Sequence, residues 1–555
     1  MARIELKDFN TGGIADSMYS GAQNSLYKIE GFDIHGEPGV LKSQQAIVSA
    51  VTSGDAITQK IVSIVPMNDG YAYLFGSEGA IWSLSDTGVS DLVVTEVNPA
   101  TVDKSILDAK VFGDYIYYST TERLGQWQKG TAWSTRNDNF ATLSFDDEYH
   151  PLVVVENDLY VGHANLIGRV TPSPRSGTLD AAGAVDQGGT PNVVRIPATD
   201  HKLSTNDSIT IAGTANYNGG FKVVNINDSD TFDIESVFVS ETFSTSDTFT
   251  VNLEQKLTLE SKYTVQSLAL MVDKLVIGTI SEGTEAGSFS GFSHLMSWDL
   301  RSIDLRTDIE VEEFGISAFM DYKGGLLFNA GTYGNWYFFN GSSVSKFRRF
   351  PADWSASKQG RTEFNAVSSY KGMSMIGFSN VSGNPALQGV YSFGAFDPKY
   401  PDVYNFEFPS VLGRSDDTTI GAVGRIGTDF VFGRTSSVNH TLQKVDTANK
   451  YSGSFLETRV FDIERDKWKN FKVTVCYRSL PAGSTVVISQ KTNHILGPAT
   501  SGYRVVPTKI WTNKKTIEGS GLTINANTIQ FRVETTRGTD TNTAPEIEKI
   551  IIDFE

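Results

Sequence analysis

One cysteine, Cys476, stands in a chain of 555 residues. A single thiol cannot close an internal disulfide, so a cystine-rich secreted module is excluded and large apolar cores must hold the fold. No apolar run approaches the ~18 residues of a membrane helix. Stretches such as Leu268-Ala-Leu-Met-Val272 have strand length. The opening Met1-Ala-Arg-Ile-Glu-Leu-Lys-Asp-Phe-Asn has no charged cap followed by an apolar stretch. A secretory leader is therefore not expected, and assembly in a reducing cytoplasm is. Basic residues are outnumbered, 47 against 64 acidic, for a net charge of −17. That balance argues against neutralising DNA phosphates over the whole surface, but suits a surface that nucleic acid slides past. Glycine (51) and proline (17) follow no three-residue period, which excludes a collagenous chain. An apolar fraction of 39%, spread along the whole length, excludes disorder.

What is present is alternation. Val, Ile, Phe, Tyr and Thr alternate with polar residues over four to eight positions almost everywhere, the pattern of an all-β chain. One phrase recurs: an apolar strand, a tight turn, and a second apolar strand that often ends in glycine. It begins at Ile61, Leu107, Leu152, Val265, Ile316, Ala366 and Ile420. From the first residue after each turn (Tyr71, Tyr115, Leu159, Leu275, Leu326, Met373, Phe430) the spacings are 44, 44, 116, 51, 47 and 57. Five of the six lie near the roughly 40 to 50 residues of a four-stranded propeller blade. Third strands with an aromatic follow several phrases, as in Ala80-Ile-Trp-Ser-Leu84, Leu295-Met-Ser-Trp298, Asn335-Trp-Tyr-Phe-Phe339 and Val390-Tyr-Ser-Phe393. The expected fold is a β-propeller of about seven blades; unrelated hairpins in β-sandwiches are the competing reading.

The long spacing marks an insertion. Val193-Val-Arg-Ile, Asp207-Ser-Ile-Thr-Ile211, Gly219-Gly-Phe-Lys-Val-Val224, Thr231-Phe-Asp-Ile234 and Thr248-Phe-Thr-Val251 read as five short strands of a small barrel or sandwich. Ala181 to Gly189 reads as its flexible lead-in. The last 105 residues lose the propeller rhythm and carry six strands with long loops, a separate β-sandwich. The expected division is a lead and docking arm at 1–54, blades at 55–177, the insert at 178–253, blades again at 254–450 and the sandwich at 451–555. Closure of the ring calls for a strand near Val40 to Val48 or just after it.

Three stretches carry a family resemblance. The insert's Ser204-Thr-Asn-Asp-Ser-Ile-Thr-Ile-Ala-Gly-Thr-Ala-Asn-Tyr-Asn-Gly-Gly-Phe-Lys-Val, closing on Asp230-Thr-Phe-Asp-Ile, resembles a small β module found inside tail proteins of tailed bacteriophages. The end of the chain, with Lys469-Asn-Phe-Lys-Val, Leu480-Pro-Ala-Gly-Ser-Thr-Val-Val-Ile and Ala544-Pro-Glu-Ile-Glu-Lys-Ile, is similar to the last domain of many such proteins. The opening Asn24-Ser-Leu-Tyr-Lys-Ile-Glu-Gly-Phe-Asp-Ile-His-Gly-Glu-Pro-Gly-Val-Leu-Lys resembles the lead of propeller-bearing tail nozzle or stabilisation proteins. The resemblance implies a structural virion protein, assembled in the host cytoplasm and located in the tail. It implies a ring, commonly a hexamer in that family, joined to the portal and adaptor proteins of the head-tail connector and to tail fibres. Genomic DNA would pass through it during ejection. Relatives often place Arg-Pro-Gly where this chain has Glu37-Pro38-Gly39, so no arginine role carries over.

Chemistry is sparse. The seven histidines (His35, His150, His163, His201, His294, His440, His494) show no pair at ligand spacing, and no Gly-rich phosphate loop with a following lysine occurs. No catalytic residue, metal ligand or cofactor is assigned. Cys476 in an alternating strand reads as packing. Asp146-Asp147-Glu148 is the one carboxylate cluster a glycosidase reading could use, against a solvated turn. Propellers host glycosidases, yet the repeated Ser-x-Asp-x-Gly-x-x-Trp turns are absent. A receptor- or glycan-binding tail protein is the other alternative, using Trp336, Tyr337 and Trp354 as exposed aromatics, although Trp336 and Tyr337 are rather expected to face into blades. The sharpest charge is Lys346-Phe-Arg-Arg-Phe350; against an acidic background Lys346, Arg348 and Arg349 are expected to dock a partner rather than DNA.

Overall fold

The computed structural model describes residues 2–67, 72–86, 92–98, 105–129, 131–146, 148–281, 292–302, 304–350, 354–382, 388–395, 397–409, 418–436, 439–462, 470–492, 503–522 and 528–554. Asp147, Lys469 and His494, and the turn before Tyr71, fall outside them. Each recurring phrase folds as an antiparallel hairpin, and each hairpin is the inner half of one sheet. Turn chemistry sets the register. Tyr370 pairs with Met373, leaving Lys371 (φ 50) and Gly372 (φ 77) as a two-residue turn whose twist matches that of the strands it joins.

Seven such sheets succeed one another among the described residues. Their inner strands (Ile61–Pro66, Ile106–Phe112, Leu152–Val155, Tyr263–Met271, Ile316–Tyr322, Val367–Tyr370 and Thr418–Ile426) touch in that order, and the last touches the first. This closed cycle makes the fold a β-propeller. The seventh sheet takes its outer strand from the other end of the chain: Gln45–Ser49 pairs antiparallel with Asn439–Lys450, Ile47 opposite Val445. That is the closing strand expected near Val40 to Val48.

Apolar cores lie between neighbouring sheets. Trp82, Trp298, Trp336 and Tyr391, the third-strand aromatics, are buried. Burial of each large side chain stabilises by roughly 1.5 to 3 kcal/mol. The glycines that end the second strands also face neighbours. A Cβ at Gly162 would lie 2.5 Å from Val265, one at Gly278 2.7 Å from Ile316, one at Gly377 2.4 Å from Ile420 and one at Gly433 2.7 Å from Ile61. In each case the next sheet's first strand occupies the place of the missing side chain.

The insert grows out of the third sheet. Strand Thr248–Thr258 pairs with Ser208–Ala212 through its first half and with Leu166–Val170 through its second. Its core is private: Leu179, Ile196, Ile209, Tyr217, Phe232, Phe249 and others pack together. The expected flexible lead-in is corrected in part, because Val185–Gly188 is a strand paired with Val193–Pro197.

The lead and docking arm expected at 1–54 also pairs with the end of the chain. Ala2–Leu6 pairs with Glu546–Phe554, Leu26–Glu30 with Gly453–Thr458, and Leu41–Ser43 with the start of Glu546–Phe554. The sandwich is therefore built from both ends of the chain. The physical reason is that Leu6, Phe9, Leu26, Ile29, Phe32 and Leu41 need an apolar cover, and find it against Leu456, Val473, Ile550 and Ile552. The same core runs on to Trp336, Phe350, Phe378, Tyr391 and Tyr404, so sandwich and propeller share one interior. No helix among the described residues is long and apolar enough to cross a membrane.

Candidate functional site

The inner strands converge on an axial cavity of about 320 Å³, lined from all seven sheets and the loops that lead into them. Lys60 Nζ lies 3.5 Å from Glu363 Oε1, Arg361 Nη2 lies 3.8 Å from Glu363 Oε2, and Arg361 Nη1 donates to the Tyr149 hydroxyl at 3.3 Å. Burial alone would raise the Glu363 carboxyl, but Lys60 and Arg361 outweigh it and hold it below its ordinary value. Burial also raises Tyr149, keeping its hydroxyl protonated. Deeper in, Asn365 binds Asp108 at 2.7 Å and accepts from Lys110 at 2.7 Å. Asp108 itself accepts the amides of Ala109 and Leu152 at 2.7 and 2.8 Å, tying the second sheet to the third. Charge here is balanced internally, which suits stitching of sheets or holding a small polar guest.

A larger cleft, about 910 Å³, lies between the sandwich's Asp33 to Gln45 segment and the turns of the fifth and sixth sheets. The Glu407 carboxyl accepts hydrogen bonds from Gln44 and Ser392, and from Asn405 at 3.1 Å. Burial and the nearby Asp33 raise its pKa to about 7 despite these donors. His35 is 6% exposed with both ring nitrogens unpartnered, and burial lowers its pKa to about 4, so it is neutral at pH 7. At the rim, Asp402 accepts the Tyr322 hydroxyl at 2.7 Å and pairs with Lys323. Lys450 donates to the Ser43 carbonyl at 2.7 Å. No local motif marks these residues; pairing across more than 360 positions of sequence, Gln44 to Glu407, brings them together.

The docking trio occupies Val344–Arg349, the outer strand of the fifth sheet. Lys346 is exposed. Arg348 lies 5.9 Å from the Tyr404 ring centre. Arg349 stacks 5.2 Å from Trp354 and donates to the Tyr333 carbonyl at 2.9 Å. The two arginines are half-buried in contacts within the chain, which leaves Lys346 the outward charge of the three.

Trp336 is fully buried in its blade, as expected, and offers no exposed glycan platform. Tyr337 donates to Glu313 at 2.9 Å, and Trp354 to the Phe350 carbonyl at 2.8 Å. Asp146 caps a turn by accepting the amides of Glu148 and Tyr149 at 2.8 and 3.0 Å, as a solvated turn requires. Glu148 lines the axial cavity. His150 is spanned by the carbonyls of Thr120 and Ser144, and His294 bridges Tyr263 at 2.9 Å and Asp308 at 2.5 Å. Among the described residues no three His, Cys, Asp or Glu side chains gather as metal ligands. Cys476 sits half-buried in Asn470–Ser479, its thiol pKa raised by burial, which suits packing rather than attack.

No family model matches the chain, and no curated protein matches it significantly. Among solved structures, the β-propeller domain of Cps50 (Swd1) from Myceliophteria thermophila is 8% identical, with 70% of this chain and 97% of that one covered at a TM-score of 0.38. The Dos1 propeller is 9% identical, covering 72% and 94% at 0.35. The phage phi92 endosialidase is 9% identical, covering 89% and 69% at 0.26. Scores this low assign no role; the propeller fold rests on the strand pairing and the closed cycle described above.

Proposed function

We propose that the chain is a structural virion protein of a phage tail, a ring-forming nozzle or hub subunit that lines the DNA exit path and joins the head-tail connector and fibres. The resemblance of the lead, the insert and the C-terminal stretch to phage tail proteins motivates this reading. One structural observation supports it: propeller and sandwich share a single apolar interior and are laced by strands from both ends of the chain. Such a subunit holds its position as one block. The internally paired axial cavity suits a scaffold, and the −17 charge suits a wall that DNA, with one negative charge per ~1.7 Å, passes without sticking. Electron microscopy of the purified protein, with antibody labelling of particles, tests the reading. Closed rings and a label at the head-proximal tail are expected. A label at distal fibre tips would overturn it, as would release of reducing sugar from host polysaccharide that is lost on changing Asp146, Asp147 and Glu148.

The cleft favours a second reading, a glycan- or receptor-binding tail protein. Its volume lies within the ~300 to 1,000 Å³ of ligand sites, and Tyr322, Tyr370 and Phe393 line it. Binding on a glycan array that Tyr370→Ala abolishes would support this reading.

A further inference from the structure

Among the described residues, both appended β modules end in open sheet edges of opposite charge. On the sandwich, Thr508–Trp511 is the last strand of one sheet and Arg504–Val505 the last of the other, so consecutive residues expose both edges on one side. Arg504, Lys509, Lys514 and Lys515 are exposed there, with no acid between residues 503 and 516. Val505 and Ile510 are 70% and 54% exposed. Lys509 and Lys514 lie over the Trp511 ring at 3.8 and 5.2 Å. On the insert, Val185–Gly188 closes the far end of the ten-stranded sheet. All four of its residues are exposed, Val185 at 50%, and Val237 beyond the neighbouring strand is 69% exposed. Residues 178–253 carry ten Asp and Glu against three Lys and Arg, whereas residues 451–555 carry fourteen Lys and Arg against eleven Asp and Glu.

Open strands with exposed apolar side chains are a liability unless something covers them. Here each edge supplies what the other lacks: unpaired backbone groups, an apolar contact and the opposite charge. We propose that the basic sandwich edge, Arg504 to Lys515, docks the acidic insert edge, Val185–Gly188, of a second copy of this chain, head to tail. The assignment rests on the ring reading and names its contact. Using two different patches makes the interface heterologous, so it closes into a ring when the rotation fits a whole number of copies.

The test uses two full-length variants, Lys509→Glu/Lys514→Glu/Lys515→Glu and Asp186→Lys/Glu235→Lys, measured by mass photometry alone and mixed. Compared at a dilution where the parent is monomeric, their melting temperatures should stay close to the parent's, because every altered side chain is exposed. The parent is expected to assemble, and each variant alone to associate about tenfold or more weakly, since like charges then face each other. The equimolar mixture should assemble again, because every contact then pairs an acidic with a basic edge. Variants that assemble alone, or a mixture that stays apart, would overturn the docking assignment and leave the ring reading standing. A parent that never assembles would overturn the ring reading itself.

Discussion

The insert and the terminal sandwich are both β modules added to the same propeller, yet they are attached in opposite ways. The insert enters and leaves at one place, keeps a private core and joins the third sheet through one long strand, with a side contact from Gly219–Ile226 and Ser208 to the second sheet's outer strand Asn137–Thr142. The sandwich is split between the two ends of the chain, and its core continues into the fifth and sixth sheets. A module whose core is private can be lost or exchanged without disturbing its host. One that shares its core becomes a structural partner. Deletions break this comparison most sharply. Removing residues 1–54 takes away the closing strand Gln45–Ser49 together with Leu6, Phe9, Leu26, Ile29, Phe32 and Leu41, and uncovers Leu456, Val473, Ile550 and Ile552. At ~1.5 to 3 kcal/mol for each of the six lost side chains, the loss is as large as the ~5 to 15 kcal/mol holding a typical domain, so the main unfolding transition in calorimetry should be abolished or moved far down in temperature. Replacing residues 179–247 with a short Gly-Ser link, which spares Thr248–Thr258, should instead shift the main melting temperature by less than about 4 °C.

Core truncations repeat the contrast within the intact chain. Phe232→Ala should cost the insert ~3 to 5 kcal/mol and show as faster amide exchange in residues 179–253, with the main transition unmoved. Phe350→Ala is the same chemical change where the cores merge. Phe350 contacts Phe378, Tyr391 and Tyr404 with ring centres 4.9, 4.8 and 5.2 Å away, so its loss should lower the main transition itself. Equal effects of the two variants would show that the insert's core is not independent.

The cleft between propeller and sandwich adds a pH test. Glu407 titrates near 7 when folded, above its ordinary 4.5, so the folded state holds the extra proton and stability falls as pH rises from about 4.5 to 7. His35 titrates near 4, below its ordinary 6.5, so the unfolded state holds the extra proton and stability rises over about 4 to 6.5. The two contributions oppose each other across most of that window, so each shows as a change of slope against the parent when the other is removed. Glu407→Gln should uncover the His35 slope, with stability growing as pH rises from 4 to 6.5. His35→Phe should uncover the Glu407 slope, with up to about 2 to 3 kcal/mol lost by pH 7.5. Denaturant melts at several pH values give both curves; parallel curves for parent and variants would show that neither group titrates as described.

Local features of the chain were legible where local physics decides them. Alternation and turn residues marked the seven inner hairpins, and the aromatics at Trp82, Trp298, Trp336 and Tyr391 fell on third strands. Pairing between Ala2–Leu6 and Glu546–Phe554 left no such mark, because register between strands over 540 residues apart depends on which apolar face finds cover, not on any neighbour in sequence. Arg348 and Arg349 show the same dependence: the sequence presents a basic run, and only the fold sets Tyr404, Tyr333 and Trp354 against it. Glu407 and His35 were silent because their surroundings come from distant strands.

The repeated glycine is the local signal whose cause is tertiary, and it yields the smallest expected effect. At Gly377 an added Cβ would lie 2.4 Å from Ile420 Cγ2 and 3.0 Å from the Ala366 Cβ, so the next sheet's inner strand must give way. Gly377→Ala should therefore cost ~1 to 3 kcal/mol by overpacking. Gly372, in the hairpin turn of the same sheet, has nothing within 4 Å but a φ of +77°, and its replacement by alanine should cost ~1 kcal/mol through the backbone alone. Ile420→Ala removes the clashing methyl and separates the two causes. Combined with Gly377→Ala it should be less destabilising than the two changes summed, with a coupling of ~0.5 kcal/mol or more, whereas with Gly372→Ala the costs should simply add. Strict additivity in both double-mutant cycles, measured by denaturant unfolding, would mean that the recurring glycine answers to strand geometry and not to the neighbouring sheet.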